Sequence, residues 1–266
     1  PRPAGKTVPT TSIVCSLALG GKVIPRSQWP GHPLNVMPAD GRESLPGRAY
    51  LESVIARYLP AGMDPTWFSP ANARHEQSAY QFLKGLGWSD AAIELNYETN
   101  IPRGTSAHEA SMLMWDFLVG WFRNQGDLGD AAMRAIGGNQ SIAEGLAAAL
   151  PQPPTLRSPV AVIRQASGGV EVECEDGKTH RADRVVCSAP LPTLRHIRFD
   201  PPLSSTKSRA IRTVPSNMIT KMLFRPTRRY WEQDGLDPGM WTDTAAGMVR
   251  PLRQGAAEGD VTPLMT

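Results

Sequence analysis

Only three of the 266 residues are cysteine: Cys15, Cys174 and Cys187, scattered and odd in number. That pattern argues against a disulfide-stapled framework and against a Cys/His zinc cluster. Cys174 and Cys187 fall in apolar, strand-like runs, so they read as small buried hydrophobes in a reducing, cytoplasmic setting. No apolar run reaches the ~18 residues of a membrane span. The longest near the start, Ile13 to Leu19, lacks the length and charged flank of a secretory leader. A net charge of +3, with no Lys/Arg-rich run, gives no reason to expect nucleic acid as a partner. His-Glu-x-x-His and Gly-x-Ser-x-Gly are both missing, so neither zinc hydrolysis nor a nucleophile elbow is supported, and no metal is expected.

What is present is ordinary globular material, 41% hydrophobic and 20% charged, enough for one large core or two small ones. Residues 1 to 46 are rich in Pro and Gly, and Trp29 among prolines reads as packing. From Gly47, Leu51, Val54, Ile55, Tyr58 and Leu59 fall at helical spacing, and Pro60 ends the run. Ser69-Pro70 caps a second helix reaching Gly85. Ser89-Asp90 caps a third, Ala91 to Tyr97. Thr105 or Ser106 caps the longest, Ala107 to Arg123, with Met114, Phe117, Leu118 and Trp121 as its apolar stripe. That stripe is either helix–helix core or the wall of a substrate cavity. His75 and His108 each stand beside a glutamate without metal spacing, and read as polar-contact residues.

The composition shifts at Ala135. Gly137-Gly138 leads into a short helix, where Ser141 and Glu144 stand at capping-box spacing. A meander follows, with a strand from Val160, a turn at Gly168-Gly169, and a strand in which Val170, Val172 and Cys174 alternate with Glu171, Glu173 and Glu175. Asp176-Gly177 makes the next turn. Val185-Val186-Cys187 is different, an unbroken apolar run of the kind covered on both faces. A last strand, Met218 to Phe224, places Lys221 among apolar residues. Such a lysine either works beside a polar partner or guards an exposed edge.

In this order, the glycine pair and helix, Ser158-Pro159-Val160, Asp183 to Pro190, Phe199-Asp200-Pro201-Pro202-Leu203, Lys221 and Tyr230-Trp231 resemble the flavin-containing monoamine oxidase family. The resemblance implies an α/β (α+β) chain. A partial FAD-binding nucleotide domain with its β-meander would be joined to a helical and sheet substrate domain. The expected division is 1–134 for the substrate side, 135–205 for the FAD side and 206–266 for further substrate-side strands.

The same resemblance implies FAD as cofactor, a small-molecule amine as substrate, and oxidation of a C–H bond beside the amine nitrogen, with O2 the expected reoxidant. Val160 would lie at the adenine end of FAD, Ser188, Ala189 and Pro190 would run past the cofactor, and Lys221 would hold a water near N5. Two family features are missing. One is the Gly-x-Gly-x-x-Gly turn that cradles the pyrophosphate; the other is the C-terminal segment closing over the flavin. The chain is therefore expected to be a central fragment whose partners include the remaining segments of the same enzyme, with a homodimer left open. A desaturase or porphyrinogen oxidase of the same superfamily, and a non-catalytic partner-binding chain, stand as alternatives.

Overall fold

The computed structural model describes residues 7–9, 16–58, 69–101, 104–124, 133–135, 138–217, 219–224, 226–236, 238–253 and 261–265. They form two compact units, Pro1–Ser141 with Ile219–Thr266, and Ile142–Met218. Both mix helices with sheets, so the α/β class expected from the sequence is observed.

The first unit opens with β1 (Thr7–Pro9), β2 (Ser16–Leu19) and β3 (Lys22–Pro25). Gly20 and Gly21 join β2 to β3 in a two-residue turn with φ of 56° and 75°, the left-handed pair that such a hairpin needs. Trp29 is fully buried and donates from Nε1 to Ser44 O at 2.9 Å. Its prolines thus flank a packing residue. Helix α1 (Arg48–Tyr58) buries Tyr50, Leu51, Val54 and Ile55, the face its spacing predicts.

The second predicted helix is broken. Ser69 caps only a short 3-10 turn, Pro70–His75, and the chain restarts at Ser78, where a true capping box with Gln81 opens α2 (Ala79–Gly85). Ser89 caps α3 (Asp90–Ile93), which runs on into a single π-turn, Glu94–Glu98. Helix α4 (Met112–Asn124) begins later than Thr105 or Ser106, because the Glu98 carboxylate captures Ala107 N at 2.7 Å and Ser106 Oγ at 3.0 Å. That clamp holds residues 106–110 in a separate turn, and Met112 N donates instead to Gln77 O. β4 (Met133–Ala135) pairs antiparallel with β1.

The second unit starts with α5 (Gln140–Ala148). Ser141 lies inside this helix and donates its hydroxyl to Gly138 O at 2.7 Å, so it does not play the capping role expected of it. β5 (Val160–Ala166), β6 (Gly169–Cys174) and β7 (Thr179–Ala182) form the predicted meander. α6 (Leu191–Leu194) leads to β8 (Arg198–Asp200), which lies parallel to β5 and completes a sheet ordered β7-β6-β5-β8. α7 (Ser205–Thr213) closes the unit, and Arg195 ties its end down by donating to Ile211 O at 2.7 Å and Val214 O at 2.9 Å.

The chain then returns to the first unit through β9 (Leu223–Phe224), α8 (Tyr230–Gln233), β10 (Met240–Thr242), β11 (Met248–Arg253) and β12 (Val261–Met265). The resulting six-stranded sheet has the order β3-β2-β10-β11-β12-β9, with β10 parallel to β2. The core lies in this unit, where Leu17, Trp29, Leu51, Leu83, Ile93, Tyr97, Trp115 and Trp241 are shut off from solvent. No helix among the described residues is long and apolar enough to cross a membrane.

Candidate functional site

Helix α4 turns Met112, Trp115 and Val119 into the core. The stripe expected from the sequence is offset from that face. Met114, Phe117 and Leu118 are half-buried and Trp121 is half-exposed, with Phe117 and Trp121 rings stacked at 6.3 Å. Behind α4, the π-turn buries Asn96 and Tyr97. Asn96 donates to Ala92 O at 2.9 Å and accepts from Gly47 N at 3.3 Å, while the Trp115 Nε1 donates to Tyr97 Oη at 3.1 Å. Asn100, just past the turn, donates to Thr242 O at 2.9 Å and so fixes the π-turn to β10. Single π-turns recur at functional sites, and this one is rigidly held on both sides.

Asp116 was missed in the sequence, although it is the one carboxylate in the run Met112 to Val119. It is half-buried between the turns of Met112 and Gly120, with no hydrogen bond or ion pair among the described residues. Burial pushes its carboxyl up to about 6, against a smaller downward pull from His75.

Lys221 is placed differently from expectation. The strand around it shrinks to Leu223 and Phe224, so Lys221 sits two residues ahead of β9 and is exposed. The reason lies in its neighbour: β12 pairs Leu264 with Phe224 and Met265 with Leu223, and no described strand continues the ladder to Lys221. A strand needs a partner, and apolar composition alone does not provide one.

In the second unit, Val160 opens β5, half-buried, opposite Cys174 and beside a bulge. Ser188 and Pro190 are exposed and Ala189 is half-buried; Pro190 stands at the N-cap of α6. The run Val185 to Cys187 is a further correction. It forms no strand, and Val186 is 95% exposed, because no described strand lies alongside it. The meander's glutamates do not simply face solvent. Glu173 pairs with Arg164, and Glu171 pairs with Arg164 at 3.5 Å and Arg181 at 3.0 Å. The same arginines line a groove of about 530 Å3 with Gly168, Gly169 and Asp183, but their charges are already spoken for across the strands. Among the described residues no group of three or more His, Cys, Asp or Glu side chains could hold a metal ion.

The family described as flavin containing amine oxidoreductase matches residues 75–259. That span holds α4, Lys221 and all four positions compared with FAD-contacting residues. The chain belongs to the flavin-containing amine oxidoreductases. It is 32% identical over 131 residues to the lysine-specific histone demethylase 1B of Mus musculus, covering 48% of this chain and 15% of that protein. Among solved structures it is similar to wild-type putrescine oxidase bound to putrescine, with a TM-score of 0.67 at 18% identity. It is equally similar to the cyclohexylamine oxidase of Brevibacterium oxydans, with a TM-score of 0.67 at 19% identity. Both alignments cover 98% of this chain and 58% of the other. The chain thus spans well under two thirds of the relatives it matches.

Membership of this family implies FAD. The backbone groups of Ser188 and Ala189 have no hydrogen-bond partner among the described residues, so they are free to meet the polar edge of an adenine ring. Val160 offers an apolar surface of the kind a ring face packs on. Unpaired backbone groups and an apolar side chain are of the kinds that a flavin nucleotide's polar edges and ring faces pack against. The sequence holds no Gly-x-Gly-x-x-Gly turn for the pyrophosphate.

Proposed function

We propose that this chain supplies the amine-side unit and part of the FAD-binding unit of an FAD-dependent amine oxidase. The reaction removes a hydride equivalent from the carbon beside a neutral amine nitrogen, and the resulting iminium loses its N–H proton to water to leave an imine, which water hydrolyses. FAD, when bound, supplies the two-electron acceptor, and O2 returns it to the oxidised form. The chain's own residues position and tune. Val160, Ser188, Ala189 and Pro190 hold the adenine side. Lys221, exposed and without a described partner, holds a water by donating from Nζ. The half-buried Met114, Phe117 and Leu118 face the amine side with apolar surface. One observation carries this reading: the family match runs from 75 to 259 and includes every one of these residues.

Lys221→Met in the whole enzyme tests it. Stopped-flow measurement should find flavin reoxidation slowed more than amine-dependent reduction. Wild-type rates in the oxidative half would leave Lys221 a structural lysine, and failure of any amine to bleach the flavin in the unaltered enzyme would overturn the proposed activity itself.

A further inference from the structure

The second unit divides its charge along the chain. Up to Asp183 its bases are offset by Glu144, Glu171, Glu173, Glu175, Asp176 and Asp183. From Arg184 to Asn217 five arginines and one lysine stand against a single acid, Asp200. Asp200 lies in register with Arg164 across the β5–β8 pairing, and its charge acts there. Helix α7 concentrates the excess. Ile211 is its buried residue, Lys207, Arg209 and Arg212 are exposed, and the helix holds no Asp or Glu. Arg209 and Arg212 stand one turn apart, neighbours of like sign that weaken a helix rather than support it. Arg195 adds a third guanidinium, pinned at the end of α7 by Ile211 O and Val214 O. In the meander of the same unit, Arg164 and Arg181 are paired with Glu171 and Glu173. Lys207, Arg209 and Arg212 have no such pair among the described residues.

We propose that the α7 face carrying Arg195, Arg209 and Arg212 docks a short acidic segment of another polypeptide, its carboxylates meeting the guanidinium forks. The site goes beyond the oxidase reading and uses none of the residues assigned to flavin or amine. Its size selects the partner. Lys207 to Arg212 spans about 7.5 Å of helix axis, while a nucleic acid duplex carries charge every ~1.7 Å along its whole length. A duplex would extend past these cations in a unit whose other half holds six acids, Glu144 to Asp183. Single strands bind on aromatic platforms, and Phe199 is the one aromatic side chain of the unit. A bilayer fits no better, because α7 has no Trp, Phe or Leu to insert.

Fluorescence anisotropy of a labelled polyglutamate peptide of about ten residues, titrated with the whole enzyme, tests this. The peptide should bind at low salt with one copy per chain, and salt should weaken it. Arg209→Glu with Arg212→Glu should weaken binding at least about tenfold. Both side chains are exposed, so amide protection in β5 and β6 should stay as in wild type. Lys22→Glu with Arg26→Glu, at exposed positions of the first unit, makes the same change in net charge and should cost less than about twofold. Equal losses in the two variants would overturn the proposal, since net charge alone would then account for binding. So would the absence of binding at low salt. Tighter binding to a duplex of about 20 base pairs, or to phosphatidylserine vesicles, than to the peptide would overturn it as well. None of these readouts involves amine oxidation, so failure of the oxidase reading would leave them standing.

Discussion

Asp116→Asn should raise stability at alkaline pH and do almost nothing in acid. The carboxyl is half-buried on α4, without a described hydrogen bond or ion pair, and burial has pushed it up to about 6 from the ordinary aspartate value of 3.8. A folded-state pKa above the unfolded one means the native state prefers the proton. Asp116 is therefore harmless below the unfolded pKa near 4, and its contribution to stability is lost as pH rises through the folded value near 6. A shift of about two units corresponds to roughly 3 kcal/mol in a fully sheltered site. Solvent reaches about half of this group, and screening brings the expected effect nearer 1 kcal/mol. Asparagine mimics the neutral acid. Urea titrations of wild type and D116N should give closely similar midpoints at pH 4 and a variant more stable by about 1 kcal/mol at pH 8, with unchanged slopes. His75→Gln should move the Asp116 titration further upward, since His75 pulls it down. A D116N effect that is the same at both pH values, or destabilising at pH 8, would refute the reasoning.

Two further substitutions probe the frame around the site. Ser78→Ala removes the acceptor for Gln81 N and half of the reciprocal box at the start of α2; it should cost about 1 kcal/mol in chemical unfolding. Gly169→Ala puts a Cβ 2.7 Å from the Ala182 carbonyl at a φ of +129°, so both sterics and backbone oppose it. It should destabilise the meander by about 2 kcal/mol or more, read as faster amide exchange in β6 and β7 while α1 and α4 stay protected.

Elements were legible where their partners are close in sequence. α1 follows from the spacing of Leu51, Val54 and Ile55, and the meander from alternation between Val170 and Cys174 after the two-residue turn Ser167-Gly168. What escaped was whatever a distant residue decides. Glu98 reaching Ala107 N sets back the start of α4, and no local propensity encodes that hydrogen bond. Val185 to Cys187 and Met218 to Phe224 read as strands from their apolar content, yet of their described residues only Leu223 and Phe224 pair, because a strand exists only when a neighbour offers its backbone. The site divides the same way. Asp116 was readable as a lone acid in an apolar helix. Lys221, Val160, Ser188, Ala189 and Pro190 have nothing in their own chemistry to mark them, and the roles proposed for them come from the family's order of motifs.

The two units differ most in how much they bury. Twenty-two buried residues form the cluster of the first unit, from Leu17 to Trp241. In the second, Val162, Cys174 and Ile211 are the buried apolar residues among those described. Its order comes instead from the ladders of β5 to β8, the Arg164–Glu173 and Arg181–Glu171 pairs, and the Arg195 clamp on α7. Exposed ion pairs contribute little each, typically under about 1 kcal/mol, so most of that order rests on the four-stranded ladder. The first unit thus has the means to fix α4 and the π-turn without help. The second leaves Ile142, Leu146 and Leu150 of α5 more than half exposed.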